Sequence, residues 1–240
     1  KFTIINMPNV GQDFFEYKKG LNLDNLSKAN ILLDMFTDLI ENCIGVINSA
    51  GIVHFDIKSE NITYNKKRGC LSLIDFGRAV VINDLSTVGE HLKSMPLDFN
   101  LLPQILFFHD IILNVNSIPA MANILNIIFS RSQNGELLIS ELTQILKQPN
   151  EENFDLVTTV STLLYNTYVN KELHILQNRT QYFDTILKWN NDLWGILLVL
   201  NSVFKNTEYN TTVKALSRQF FYDSFDKNIT ASELVSKLNE

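Results

Sequence analysis

Between residues 30 and 49 the apolar positions Ile31, Leu32, Met35, Phe36, Leu39, Ile40, Cys43, Ile44 and Ile47 recur at steps of three and four. That period predicts a long helix with a wide buried face, ended by Gly51 as a C′ glycine. Between Gly51 and Ala79 the pattern changes to two short apolar runs, which predict strands. A basic turn, Asn65-Lys66-Lys67-Arg68-Gly69, interrupts them, giving a small β-hairpin region. Helical periodicity returns over 99–114, 118–130, 136–147 and 153–168, with polar breaks such as Ser132-Gln133-Asn134-Gly135. Residues 212–220 and 231–238 predict two closing helices, the second with a capping box from Thr230 to Glu233. At the other end, 1–6 predicts a strand, and 7–13 has the Pro and Gly of a connector. The expected class is mainly α, within α+β.

Composition narrows the picture only a little. In 240 residues, 45% of them hydrophobic, there is enough apolar material for one or two buried cores. The longest apolar stretch, near Trp194 to Leu200, is far short of the roughly 20 residues a bilayer requires, so no membrane helix is expected. KFTIINMPNV has neither the apolar core nor the cleavage site of a secretory signal, and it does not look like a natural start. A net charge of -6 disfavours nucleic-acid binding, and Lys66-Lys67-Arg68 is too short a patch to reverse that. Cys43 and Cys70 form no metal or disulfide spacing; they are expected as core thiols in a cytoplasmic, reducing setting. Abundant Asn, Ile and Lys suggest an AT-rich genome, as in a large DNA virus or a protist, which allows a host cell or virion as the location.

The chemistry concentrates in two motifs. One is His54-Phe55-Asp56-Ile57-Lys58-Ser59-Glu60-Asn61, and the other is Asp75-Phe76-Gly77. Phosphoryl transfer needs an acceptor hydroxyl held in line and the phosphate charge neutralised, with little covalent work for side chains. On such a loop Asp56 can take the hydroxyl proton, Lys58 can touch the moving phosphate, and Asn61 and Asp75 offer hard oxygen atoms to Mg²⁺. Taken singly, each residue has an ordinary structural reading: Asp-Phe-Gly is a common turn, and a lone His is usually a packed one. Together, the motifs resemble the catalytic loop and metal-binding turn of the eukaryotic-type protein kinases, H-R-D-L-K-P-x-N and D-F-G. Lys58 resembles the serine/threonine branch.

The resemblance implies a protein-kinase-like large lobe with its hinge, covering 1–240, in which Asp56 and Lys58 are catalytic and Asn61 and Asp75 hold metal. It places a hinge strand and connector at 1–20, the catalytic loop and metal turn at 51–79, an inserted helical subdomain at 98–188, and closing helices at 189–240. Met7, Pro8, Asn9 and Val10 would then meet the adenine of ATP, Asp13 the ribose, and Lys58 the phosphates. Thr63 stands where the family has an apolar residue beneath the base. Asp192 would hold the catalytic loop by accepting its backbone N–H groups, with Asp98 as its rival.

Several features depart from the family. Phe55 replaces the arginine that reads a phosphate on the activation segment, so Ser86, Thr87 and Ser94 are expected as ordinary loop residues. No A-P-E motif follows Gly77, and Asn228 stands in place of the arginine that would pair with its glutamate. The small lobe's glycine-rich loop and ATP-binding lysine have no counterpart in these residues, so weak binding of Mg·ATP is expected. The preferred reading is transfer of the ATP γ-phosphoryl group to Ser or Thr of a protein substrate. Its alternative is a pseudokinase or interaction module, with a protein partner at the helical insertion; a small-molecule phosphotransferase is a third. His109, Asp110 and His174 are expected as surface or capping residues.

Overall fold

The computed structural model describes residues 11–21, 23, 26–82, 85–95, 101–131 and 135–240. The chain forms β1 (Gln12–Asp13), α1 (Phe14–Lys19) and α2 (Leu26–Leu39), which runs through a π-helical turn (Ile40–Ile44) into α3 (Gly45–Ser49). Next come β2 (Ile52–Val53), a 3-10 turn (Ser59–Asn61), β3 (Ile62–Asn65), β4 (Cys70–Leu73), a second 3-10 turn (Phe76–Arg78) and β5 (Val80–Val81). α4 (Leu85–Ser94) and two 3-10 segments (Pro103–Phe108, Asp110–Asn114) precede α5 (Ile118–Arg131), α6 (Gly135–Leu146) and α7 (Leu156–Asn170). α8 (Leu176–Tyr182), a π turn (Phe183–Leu187), α9 (Asn190–Val203), α10 (Asn210–Asp223) and α11 (Ala231–Leu238) complete it. The described fold is mainly helical, and no described helix is long and apolar enough to cross a membrane.

The long helical stretch ends as its sequence predicts, with Gly51 at φ +77° and its N–H on Asn48 O. Its buried face is carried by Ala29, Leu32, Phe36, Leu39, Ile40 and Ile44. Ile31, assigned to that face from spacing, is instead 57% exposed. The π turn adds a residue to the repeat just where α11 packs: a Cβ on Gly45 would come within 3.2 Å of Ala231 Cβ.

The hairpin β3–β4 is antiparallel, with Ile62 opposite Leu73 and Asn65 opposite Cys70. Its basic turn is closed by Asn65 Oδ1, which accepts from Lys67 N and Arg68 N, and by Gly69 at φ +64°. β1 adds to the hairpin, placing Asp13 opposite Thr63, and β2 pairs antiparallel with β5. Thus the connector read over 7–13 already holds a strand residue pair, and α1 follows it directly.

Further expectations change. The helix read over 99–114 is, in its described part, two 3-10 segments; Pro103 opens the first, and Gln104 to Phe108 are all buried, so no polar face exists to register an α-helix. Ser86, Thr87 and Ser94 all lie in α4 and are not loop residues; Ser94 Oγ donates to His91 O. His109 is half-buried, with burial lowering its pKa; Cys43 is a half-buried free thiol packed against the core, whereas Cys70 is half-buried and outside it. The expected hinge residues Met7, Pro8, Asn9 and Val10, the strand over 1–6, and Asp98 lie outside the described residues.

α5, α6 and α7 pack on one another, and α6 also packs on α10. A buried apolar seam joins α9 to α10, where Trp194 stacks on Phe220 at 6.4 Å and tilts against Phe221 at 5.4 Å. α9 therefore faces the core on one side and, as described next, the 51–79 segment on another.

Candidate active site

The loop after β2 is held from behind by α9. Asp192, fully buried, accepts from His54 N (2.9 and 3.1 Å), Phe55 N (2.9 Å) and Asn48 Nδ2 (3.0 Å). Burial pushes its carboxyl up, and these N–H donors pull it back. One turn later, Gly195 lets α9 touch the loop itself, since a Cβ there would lie 2.7 Å from Ile57 O and 2.9 Å from Ile57 Cβ. The expectation for Asp192 is met in geometry; Gly195 is an addition that its Trp-Gly context only hinted at.

Phe55 adopts φ +61°, a conformation costly for a bulky residue by roughly 1–3 kcal/mol. Its two compensations are visible: the N–H bond to Asp192, and a fully buried ring stacked on Phe183 at 6.1 Å. The side chain at this position points into the helical core, which explains why a phenylalanine fits there.

His54 ties the loop to β4. Asp56 N donates to its Nδ1 (3.3 Å), so the ring proton sits on Nε2, which donates to Ile74 O (3.0 Å). Ile74 N in turn donates to Asn61 O (2.9 Å), so Asp75 leaves the strand directly beside the end of the loop. Asp75 itself is at φ +59°, exposed, with Oδ1 accepting from Gly77 N (3.2 Å). This self-capping turn is what allows an aspartate the left-handed conformation. Phe76 is exposed but touches the His54 ring edge-on at 4.7 Å.

At the centre is the buried carboxylate of Asp56. Lys58 Nζ donates to both of its oxygens (3.1 and 2.9 Å), Asn61 Nδ2 donates to its Oδ2 (2.9 Å) and its backbone O (2.8 Å), and Arg78 Nη1 lies 3.6 Å from Oδ1. The short spacing of the motif brings Lys58 and Asn61 onto Asp56. Arg78 was not singled out from sequence, although its place directly after Gly77 was a usable signal.

The other nominated residues serve structure in what is visible. Asp13 caps α1, accepting from Glu16 N (2.9 Å), and Thr63 is buried with its hydroxyl on Ser72 O (3.4 Å). A cavity of about 780 Å³ opens between β1, α1 and the hairpin turn, lined in part by Gln12, Tyr17, Tyr64 and Lys66. It does not include Asp56, Asn61 or Asp75 among its described lining.

The donor set fits Mg²⁺ as far as this chain supplies it. Asn61 Nδ2 is committed to Asp56, so Oδ1 is the atom it would offer a metal ion, and Asp75 presents an exposed carboxylate. Among the described residues no group of three or more His, Cys, Asp or Glu could hold a metal ion. Mg²⁺ does not require one, because it keeps waters and takes substrate phosphate oxygens beside one or two protein ligands.

Comparison with known proteins gives a partial likeness. Over 81 residues the chain is 31% identical to serine/threonine-protein kinase pim-2 from Danio rerio. That stretch is 34% of this chain and 25% of that protein, so the chain spans about a quarter of the length of the relative it matches. No family model and no solved structure matches the chain. The likeness supports a relationship to serine/threonine kinases and nothing finer.

Proposed function

We propose that this chain is the large lobe of a divergent serine/threonine protein kinase, transferring the γ-phosphoryl group of ATP to a Ser or Thr hydroxyl of a protein. The observation that carries this is the convergence of Lys58 and Asn61 on the Asp56 carboxylate at 2.9–3.1 Å, with Asp75 one residue beyond the Ile74–Asn61 backbone bond. The partial likeness to a serine/threonine kinase supports the same reading.

In this assignment Asp56 accepts the proton of the acceptor hydroxyl as its oxygen bonds to phosphorus and the bond to the departing ADP oxygen breaks. Lys58 moves from Asp56 to the transferred phosphoryl oxygens, exchanging one anion for another. Asn61 and Asp75 would hold Mg²⁺, which when bound supplies Lewis-acid neutralisation of phosphate charge. His54 and Asp192 fix the loop and do not touch substrate.

A pseudokinase is the second reading, favoured by one observation: Asp56 is closed in by Lys58, Asn61 and Arg78 together. Radiolabelled phosphate transfer from Mg·ATP to a generic protein substrate, by the parent protein that carries this lobe and by its Asp56→Asn variant, separates the two. The kinase reading expects transfer that falls roughly 10²–10⁴-fold in the variant. A rate indifferent to Asp56 sinks it and leaves the interaction module.

A further inference from the structure

We infer that Arg78 is a further catalytic residue of this site, donating guanidinium N–H groups to the oxygens of the phosphoryl group in transfer. The inference deepens the proposed reaction and rests on it.

Arg78 lies outside the loop that carries Asp56, yet the backbone on both sides of it is tied to that loop's surroundings. On one side Gly77 N donates to Asp75 Oδ1 (3.2 Å) and Ala79 N to Phe76 O (3.1 Å), closing the 3-10 turn that Arg78 ends. On the other, Val80 pairs with Val53, the residue that leads into His54. The backbone of Arg78 is thus fixed between the candidate metal turn and the start of the loop. Its side chain reaches the base: Nη1 is 3.6 Å from Asp56 Oδ1, inside ion-pair range but beyond the roughly 2.7–3.2 Å of an N–H···O bond. Lys58 and Asn61, by contrast, hold the same carboxylate at 2.9 Å. In its contact with Asp56, Arg78 supplies charge and not a hydrogen bond, and its side chain is 33% exposed on the open side of the site.

That placement matters once an acceptor arrives. Its hydroxyl must come within about 2.6–3.2 Å of Asp56 to lose its proton, and phosphorus bonds to that same oxygen. The phosphoryl oxygens then come within reach of a guanidinium that already stands 3.6 Å from the base. During transfer negative charge spreads over three oxygens, and a planar fork of N–H donors matches two of them at once, which the point charge of Lys58 cannot. As the hydroxyl oxygen bonds to phosphorus, its proton passes to Asp56 and the ADP oxygen departs with the electron pair of the broken bond. Arg78 exchanges no atom in this step and only donates hydrogen bonds.

The test uses the parent protein that carries this lobe, with Arg78→Ala, Arg78→Lys and Asp56→Asn. Arg78→Ala should lower kcat roughly 10²–10³-fold with the KM for the acceptor little changed. Arg78→Lys should recover only part of the loss, and added guanidinium should partly rescue the alanine variant. A second readout needs no turnover. In fluorescence anisotropy, a labelled peptide from the phosphorylated site of the generic substrate should bind more tightly as its phosphoserine form than as its serine form, and Arg78→Ala should abolish that difference. If Arg78 locks the base, its removal raises the rate; if it only braces the loop, guanidinium rescues nothing and both peptides weaken alike. Either result overturns the inference, as does a phosphoserine preference that is absent or indifferent to Arg78. Transfer indifferent to Asp56 overturns the proposed reaction itself, whereas transfer that needs Asp56 but not Arg78 overturns only this inference.

Discussion

Truncating Asp192 to alanine leaves three N–H groups without an acceptor in a site closed to solvent: those of His54 N and Phe55 N, and one of the two on Asn48 Nδ2, whose other N–H keeps Ile52 O. Each buried donor left unpaired costs about 1–3 kcal/mol, so the sum could approach 9 if nothing relaxed. Two effects reduce it. Water can enter the space vacated by the carboxylate, and a desolvated charge has been removed, which by itself is favourable. A net loss of about 3–5 kcal/mol is expected, a large part of the roughly 5–15 kcal/mol that holds a domain together. Asp192→Asn should cost less, about 1–3 kcal/mol, because one carbonyl oxygen still accepts while the new NH₂ faces another donor. Urea unfolding followed by tryptophan fluorescence and circular dichroism reads the difference, provided the slope with denaturant is unchanged. Hydrogen exchange at the His54 and Phe55 amides gives the local counterpart, and both should lose protection. An alanine variant within about 1 kcal/mol of the parent, with those amides still protected, would refute the reasoning.

Gly195→Ala places a methyl 2.7 Å from Ile57 O, a backbone atom that cannot swing aside, so α9 or the loop must shift; a loss of about 1–3 kcal/mol in thermal or urea unfolding is expected. A fully stable variant would show that the loop is not seated on α9. The caps give a pH dependence of definite sign. Hydrogen bonds from Thr158 hold the Asp155 carboxyl below its usual value, and those from Thr230 do the same for Glu233. Their stabilisation is therefore complete above about pH 5 and is lost as pH falls through the lowered values. Asp155→Ala should cost about 1 kcal/mol at pH 7 and much less at pH 3, and a difference that grows on acidification would contradict it.

What the sequence determined by itself was local. The three-and-four spacing over 30–49, Gly51 beyond it, the basic turn of the hairpin and the Thr230–Glu233 box all act over a few residues, and all appear where they were read. So does the gathering of Lys58 and Asn61 on Asp56, because two and five residues along one loop leave little room for another outcome. Local signals also failed where the environment overrode them. Ile31 keeps the helical period but meets solvent, and Gln104 to Phe108 are all buried, so the period marks no face there.

Tertiary structure decided what lies far apart in the chain. Asp192 reaches His54 across 138 positions, and Asn190 takes Ile229 N and Lys227 O into the closing loop. The loop 224–229 is thus held by a neutral amide, a contact that no spacing rule encodes. Gly195 belongs to the same class: its lack of a side chain matters only because Ile57 comes to rest against it. Such contacts depend on which surfaces meet once helices have docked, and burial then sets whether a polar group becomes a fixed bond or an exposed residue. Short-range pattern made the loop, and long-range packing turned it into a site.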